Sequence, residues 1–156
     1  MIELPFGLPG RIFRSPMPFR PGDENGQLFR QYQEWQIEVV VLLADDAECL
    51  RRSGRHLRLY YESNGLRVIY LPIPDYDVPA QEGLSAAVGS ALACAQAGQN
   101  VVVHCYAGYG RTGMFLACMA RRALGMSAQE AVEWVRIYVP AAIEAQEQMQ
   151  TIKEFR

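Results

Sequence analysis

The chain has one lysine, Lys153, against fourteen arginines, and its two histidines have no companions at metal-ligand spacing. Its four cysteines, Cys49, Cys94, Cys105 and Cys118, fall at unpaired spacings with no Cys-x-x-Cys. This argues against a disulfide scaffold, a zinc site and a thioredoxin-type dithiol, and it implies a reducing compartment. No apolar run approaches membrane-spanning length, and Met1-Ile2-Glu3-Leu4-Pro5 carries no basic stretch leading into an apolar one. A cytoplasmic location without membrane association is therefore expected. A formal net charge of −2 gives no electrostatic reason to expect nucleic acid as a partner. Internal repeats and low-complexity segments are absent, and nothing in the sequence assigns an oligomeric state.

Half of the 156 residues are hydrophobic, enough for one core and one domain over 1–156. Residues 11–14 read as a short edge strand before the proline-rich Ser15-Pro16-Met17-Pro18, which reads as loop. Leu28, Tyr32 and Trp35 have helical spacing, and the β-branched run 37–43 predicts a buried strand. Asp45-x-x-Glu48 predicts a capping box on a short helix ending near Gly54, with another helix over 55–62. A strand over 66–71 follows, then a helix over 79–97 that stops at Gly98. The run 101–104 reads as the central strand. Helices are expected over 111–124, after the box Ser127-x-x-Glu130, and over 143–155. Alternating strands and helices predict an α/β fold: a mostly parallel sheet of four to five strands with helices on both faces.

The informative stretch is His104-Cys105-Tyr106-Ala107-Gly108-Tyr109-Gly110-Arg111-Thr112-Gly113. A buried strand, a glycine-bearing loop and a helix start would aim backbone N–H groups and a positive helix end at one spot, which suits an oxyanion. The same field favours a thiolate, lowering a rim cysteine typically from ~8.5 to roughly 3.5–7.5. Gly108 and Gly110 permit torsions and close approach that a Cβ obstructs. Arg111, six residues past Cys105, has a planar fork able to hold two phosphate oxygens. Thr112 is placed to donate to the sulfur as it leaves. Tyr106 and Tyr109 either flank the ligand or project into solvent. His104 fits a structural role, hydrogen-bonding the loop backbone, better than metal ligation. Arg51, Arg52, Arg55 and Arg58 form either a solvated face or a docking patch for an acidic or phosphorylated partner.

Cys105-x5-Arg111-Thr112, with His104 before and Gly113 after, resembles the phosphate loop of the protein tyrosine phosphatase superfamily, small atypical dual-specificity branch. The resemblance runs from about Arg11 to Phe155. It implies that Cys105 attacks phosphorus, that Arg111 stabilises the transition state, and that Thr112 assists breakdown of a phosphocysteine. It also implies that Tyr106, Ala107, Gly108, Tyr109, Gly110 and Arg111 cradle the substrate phosphate, with no cofactor or metal. The family uses an upstream aspartic acid. Asp75, thirty residues before Cys105 and following Pro74, matches that position, whereas Asp77, before Val78-Pro79, suits a turn or cap. The segment around Ile143-Glu144-Ala145 matches an Ile-Glu-Thr stretch with alanine in place of threonine, so no role passes to position 145. Glu144 and Gln148 are candidates for bracing the loop or the attacking water.

An ionised cysteine working with a protonated aspartic acid predicts a bell-shaped, mildly acidic rate optimum. The resemblance implies a phosphorylated protein as substrate, with a shallow site admitting phosphotyrosine and also phosphoserine or phosphothreonine. Arg111 is the only cation inside the loop, which disfavours polyphosphorylated ligands. The competing readings are an RNA 5′-phosphatase, a phosphoinositide phosphatase, a non-catalytic phosphate-binding module and, weaker, a thiol oxidoreductase.

Overall fold

The computed structural model describes residues 1–156. Its strands are β1 (Ile2–Leu4), β2 (Ile12–Ser15), β3 (Ile37–Leu42), β4 (Arg67–Tyr70) and β5 (Asn100–His104). They form one sheet in the order β1-β2-β5-β3-β4. β5 pairs in parallel with β2 and β3, and β4 pairs in parallel with β3. The helices are α1 (Gln27–Glu34), α2 (Asp46–Ser53), α3 (Leu57–Ser63), α4 (Gln81–Gln96), α5 (Gly110–Leu124), α6 (Ala128–Tyr138) and α7 (Gln146–Glu154). None is long and apolar enough to cross a membrane.

Alternation along the strands divides the core in two. Val39, Val41, Val101 and Val103 face a large cluster built with α4, α5, α6 and α7, through residues such as Leu84, Phe115, Val132 and Ile152. Val40, Leu42 and Val102 face a smaller cluster with Phe29 and Tyr32 of α1, Cys49 of α2, and Leu57 and Tyr61 of α3. β3 and the middle of β5 are apolar at nearly every position because both of their faces are covered.

Three expectations need correction. The segment over 11–14 is not an edge strand: β2 is interior, because β1 adds to its outer side as the sheet's one antiparallel pair, with Ile2 opposite Arg14. Three residues are too few to show a period, so β1 left no signal. Asp45 does cap α2, accepting from the Glu48 N–H at 2.7 Å, but the Glu48 carboxylate does not return the bond and is directed into the interior. The last helix begins at Gln146 rather than 143, since Ile143 has φ +64°, outside the right-handed helical region.

Because β3, β4 and β5 are parallel, their carboxyl ends lie along one edge. There β5 runs into Cys105, β3 into α2, and β4 into the loop carrying Asp75, so distant parts of the sequence converge.

Candidate active site

Cys105 follows the last residue of β5 and is buried, with its Sγ accepting from the Gly108 N–H at 3.3 Å. The loop backbone is turned by bonds on its outer side. The Cys105 carbonyl accepts from His104 Nδ1 at 2.9 Å and the Tyr106 carbonyl from the Met17 N–H at 2.8 Å. Arg14 donates from Nε to the Gly108 carbonyl at 3.0 Å and from Nη2 to the Ala107 carbonyl at 3.4 Å. The Tyr109 carbonyl accepts from the N–H groups of Gly113 and Ile143 at 2.8 and 3.4 Å. With their carbonyls turned outward, the N–H groups of Tyr106, Ala107, Tyr109, Gly110 and Arg111 donate to no protein acceptor and are left for a ligand. The first turn of α5 adds its positive end to the same point.

Gly108 is required twice over. Its φ is +80°, and a Cβ there would stand 2.5 Å from the Ser15 carbonyl oxygen. Gly110 lets α7 close in, because a Cβ there would stand 2.7 Å from Glu144 Oε2 and 2.9 Å from Gln148 Nε2.

Arg111 has a relative exposure of only 2%. Nη1 donates to Glu48 Oε2 at 2.7 Å and to the Ile73 carbonyl at 2.8 Å, and Nη2 donates to Glu48 Oε1 at 2.9 Å. Asp75 Oδ1 lies 3.2 Å from Nη2. Burial alone would lower the guanidinium's affinity for its proton. The Glu48 hydrogen bonds, with the electrostatic influence of Cys105, Glu48 and Asp75, outweigh burial and hold it above its ordinary value. Glu48, 63 residues away in sequence, is therefore the residue that sets the fork's orientation. Nε remains for an anion, and the second Nη2 proton is shared with Asp75.

A cavity of about 220 Å³ opens over this floor, lined by Cys105, Tyr106, Ala107, Gly110 and Arg111, with Asp75, Tyr76, Glu144, Gln148 and Arg52 around them. The expected site residues thus meet at one place, apart from four. Gly108 and Tyr109 shape the loop without lining the cavity, and the Tyr109 ring lies instead against Arg14, 4.7 Å from its guanidinium carbon. His104 is buried behind the loop. Its Nδ1 faces a carbonyl and must carry the proton, so Nε2 accepts from the Tyr61 hydroxyl at 2.8 Å. Thr112 Oγ1 is buried with no hydrogen-bond partner, so the expected donation to sulfur is not made in this state. Gln148 is buried, its Oε1 accepting from the N–H groups of Glu144 and Ala145 at 3.0 and 3.3 Å.

The arginine cluster divides. Arg58 pairs with Asp46 at 2.6 Å and lies over Tyr70, while Arg55 lies over Phe19 and Tyr60. Arg52 alone reaches the cavity. Arg14, Glu48, Tyr61, Arg52 and Tyr76 were absent from the expected site. Two of them carried a sequence signal: Arg52 as part of the arginine cluster, and Glu48, whose spacing from Asp45 read as a cap.

Comparisons with known proteins agree with this geometry. The family described as "Polymorphic toxin system, DSP-PTPase phosphatase" matches residues 20–124. The structure resembles the crystal structure of Tk-PTP in the active form, with a TM-score of 0.74 and 30% identity over 92% of this chain and 88% of that one. The kinase associated phosphatase KAP, at 17% identity and a TM-score of 0.83, shares the fold over 99% of this chain and 92% of its own. Among curated proteins, uncharacterized protein MJECL20 of Methanocaldococcus jannaschii is 36% identical over 89 residues, 56% of this chain and 58% of that protein. The mouse protein tyrosine phosphatase domain-containing protein 1 is 41% identical over 56 residues, 36% of this chain and 8% of that protein. The chain thus spans less than two thirds of the length of these curated relatives. From the loop outward to the sheet, sequence likeness and geometry coincide, and the chain belongs to the small atypical dual-specificity branch of the cysteine-based protein tyrosine phosphatase superfamily.

Proposed function

We propose that the protein hydrolyses phosphotyrosine in protein substrates, with phosphoserine and phosphothreonine also admitted, through a phosphocysteine intermediate. The observation that carries this is the convergence of unengaged loop N–H groups and the Arg111 fork around the sulfur of Cys105. Cys105 attacks phosphorus in line with the leaving oxygen. The amides and Arg111 hold the three equatorial oxygens, where charge accumulates. Arrival of a dianion competes with Asp75 for the Nη2 proton, which frees the carboxyl to face the leaving group. Asp75, protonated, donates to that oxygen as the P–O bond breaks, then takes a proton from the water that cleaves the P–S bond. Thr112, whose hydroxyl has no other partner, supports the departing sulfur. Glu144 and Gln148 stand beside Gly110, where they can orient that water.

A protein substrate suits the charge around the cavity. Asp75 and Glu144 are exposed carboxylates on its wall, unfavourable to an RNA triphosphate or a polyphosphorylated inositol. The test is turnover of a phosphotyrosine peptide, a phosphoinositide and triphosphorylated RNA side by side, by wild type and Cys105→Ser. The peptide should be the best substrate and Cys105→Ser should lose roughly four orders of magnitude or more. Preference for the lipid or RNA would replace the substrate assignment, and an active Cys105→Ser enzyme would remove the nucleophile.

A further inference from the structure

Two arginines line the cavity, and they are in different situations. Arg111 is committed to Glu48 and the Ile73 carbonyl. Arg52 is exposed and enters no ion pair. It stands four residues after Glu48 on α2, so one helix face presents the carboxylate that holds Arg111 and, a turn further on, a second guanidinium at the rim. The Arg52 guanidinium carbon lies 4.3 Å from the centroid of the Tyr106 ring. Stacking of this kind restrains the plane of the fork and leaves its N–H edges free for a planar, two-oxygen acceptor. Tyr106 is itself the first residue after the nucleophile, so the fork is fixed relative to the reacting sulfur.

The surroundings limit how much negative charge this position can receive. Asp75 and Glu144 share the cavity wall, and the chain is net acidic. A second phosphate, as a dianion, would exceed the charge of the one free guanidinium beside the Glu144 carboxylate, whereas a single carboxylate is matched by Arg52. We propose that Arg52 and Tyr106 form a subsite for the side-chain carboxylate of an aspartate or glutamate beside the phosphotyrosine, which defines the substrate class as acidic-flanked phosphopeptides. This rests on the protein-phosphatase reading above.

The experiment compares kcat/KM for phosphotyrosine peptides that differ only in glutamate or glutamine next to the phosphorylated residue, with wild type, Arg52→Met and Arg52→Lys. Wild type should favour the glutamate peptide by about three- to fivefold, chiefly through KM. The ratio should fall to about one in Arg52→Met and stay between the two in Arg52→Lys. Because each ratio is taken within one variant, a general loss of activity cancels. Turnover of both peptides without preference in wild type, or a preference that survives Arg52→Met, overturns the subsite and leaves the protein-phosphatase reading standing. Hydrolysis of para-nitrophenyl phosphate but of neither peptide overturns both. A phosphoinositide hydrolysed faster than either peptide, with that advantage lost in Arg52→Met, assigns the position to a second phosphate and overturns the carboxylate assignment.

Discussion

A carboxyl group that protonates a leaving oxygen needs reach and freedom, and Asp75 and Asp77 differ in both. Asp77 is folded into its own turn, its Oδ1 accepting from the Val78 N–H at 2.8 Å and its N–H donating to the Pro74 carbonyl at 3.1 Å. Asp75 lines the cavity, and its side chain keeps 49% of its exposure while lying next to Arg111. Asp75→Asn should slow phenyl phosphate hydrolysis by about 10²- to 10³-fold and para-nitrophenyl phosphate much less, since the better leaving group needs less protonation. Asp77→Asn should stay within about twofold of wild type on both. The leaving-group dependence of kcat in the two variants decides between them, and a larger dependence for Asp77→Asn would relocate the acid. The cysteines divide by the same logic of environment. Burial pushes the Cys49 and Cys118 thiols up to about 12, which keeps them protonated and unreactive, whereas Cys105 opens onto the cavity.

Element boundaries are where sequence signals read well and where a stabilising change can be made. α7 opens at Ala145, whose backbone is extended (φ −115°, ψ 151°) and which offers no side-chain cap. Gln148 compensates only for the N–H groups of Glu144 and Ala145. Ala145→Thr supplies a hydroxyl to the first turn and should raise stability by about 1 kcal/mol. For a chain of this size that is roughly 2–4 °C in Tm, read by thermal denaturation. An unchanged or lower Tm would mean that the first turn has no donor left to satisfy. The box at Ser127 and Glu130, the glycine stops at Gly54 and Gly125, and the apolar run of β5 were legible because each is settled by neighbours within a turn or two. Cys105, Arg111 and Gly108 were legible for the same reason, as parts of one continuous loop. Glu48 was misread because a carboxylate three residues after an N-cap satisfies a local rule, and only the fold reveals its partner 63 residues on. Arg14 had no local signal at all, since its acceptors lie 93 and 94 residues away.

At the scale of the whole molecule, the sheet places a buried histidine at the end of its central strand, where it cannot be charged without cost. Burial, opposed by the bond to the Cys105 carbonyl and reinforced by Arg111, pushes His104 from 6.5 down to about 4. Between those values the unfolded chain binds the proton and the native protein does not, so stability rises with pH across the window. The contribution is complete above about 6.5 and lost as pH falls towards 4. It amounts to at most roughly 3 kcal/mol. Urea denaturation at pH 7 and pH 5 should show a steeper acid loss for wild type than for His104→Asn, which removes the titrating ring, and parallel losses would discount the histidine. The outward-turned loop carbonyls have a mechanical meaning on the same scale. Their anchors are spread over several parts of the chain, so the amides cannot swing aside unless β2, the turn at Met17, β5 and the approach to α7 yield together. The cradle borrows its stiffness from the entire sheet, and an arriving anion meets donors already aimed, with little of its binding free energy diverted into rearranging them.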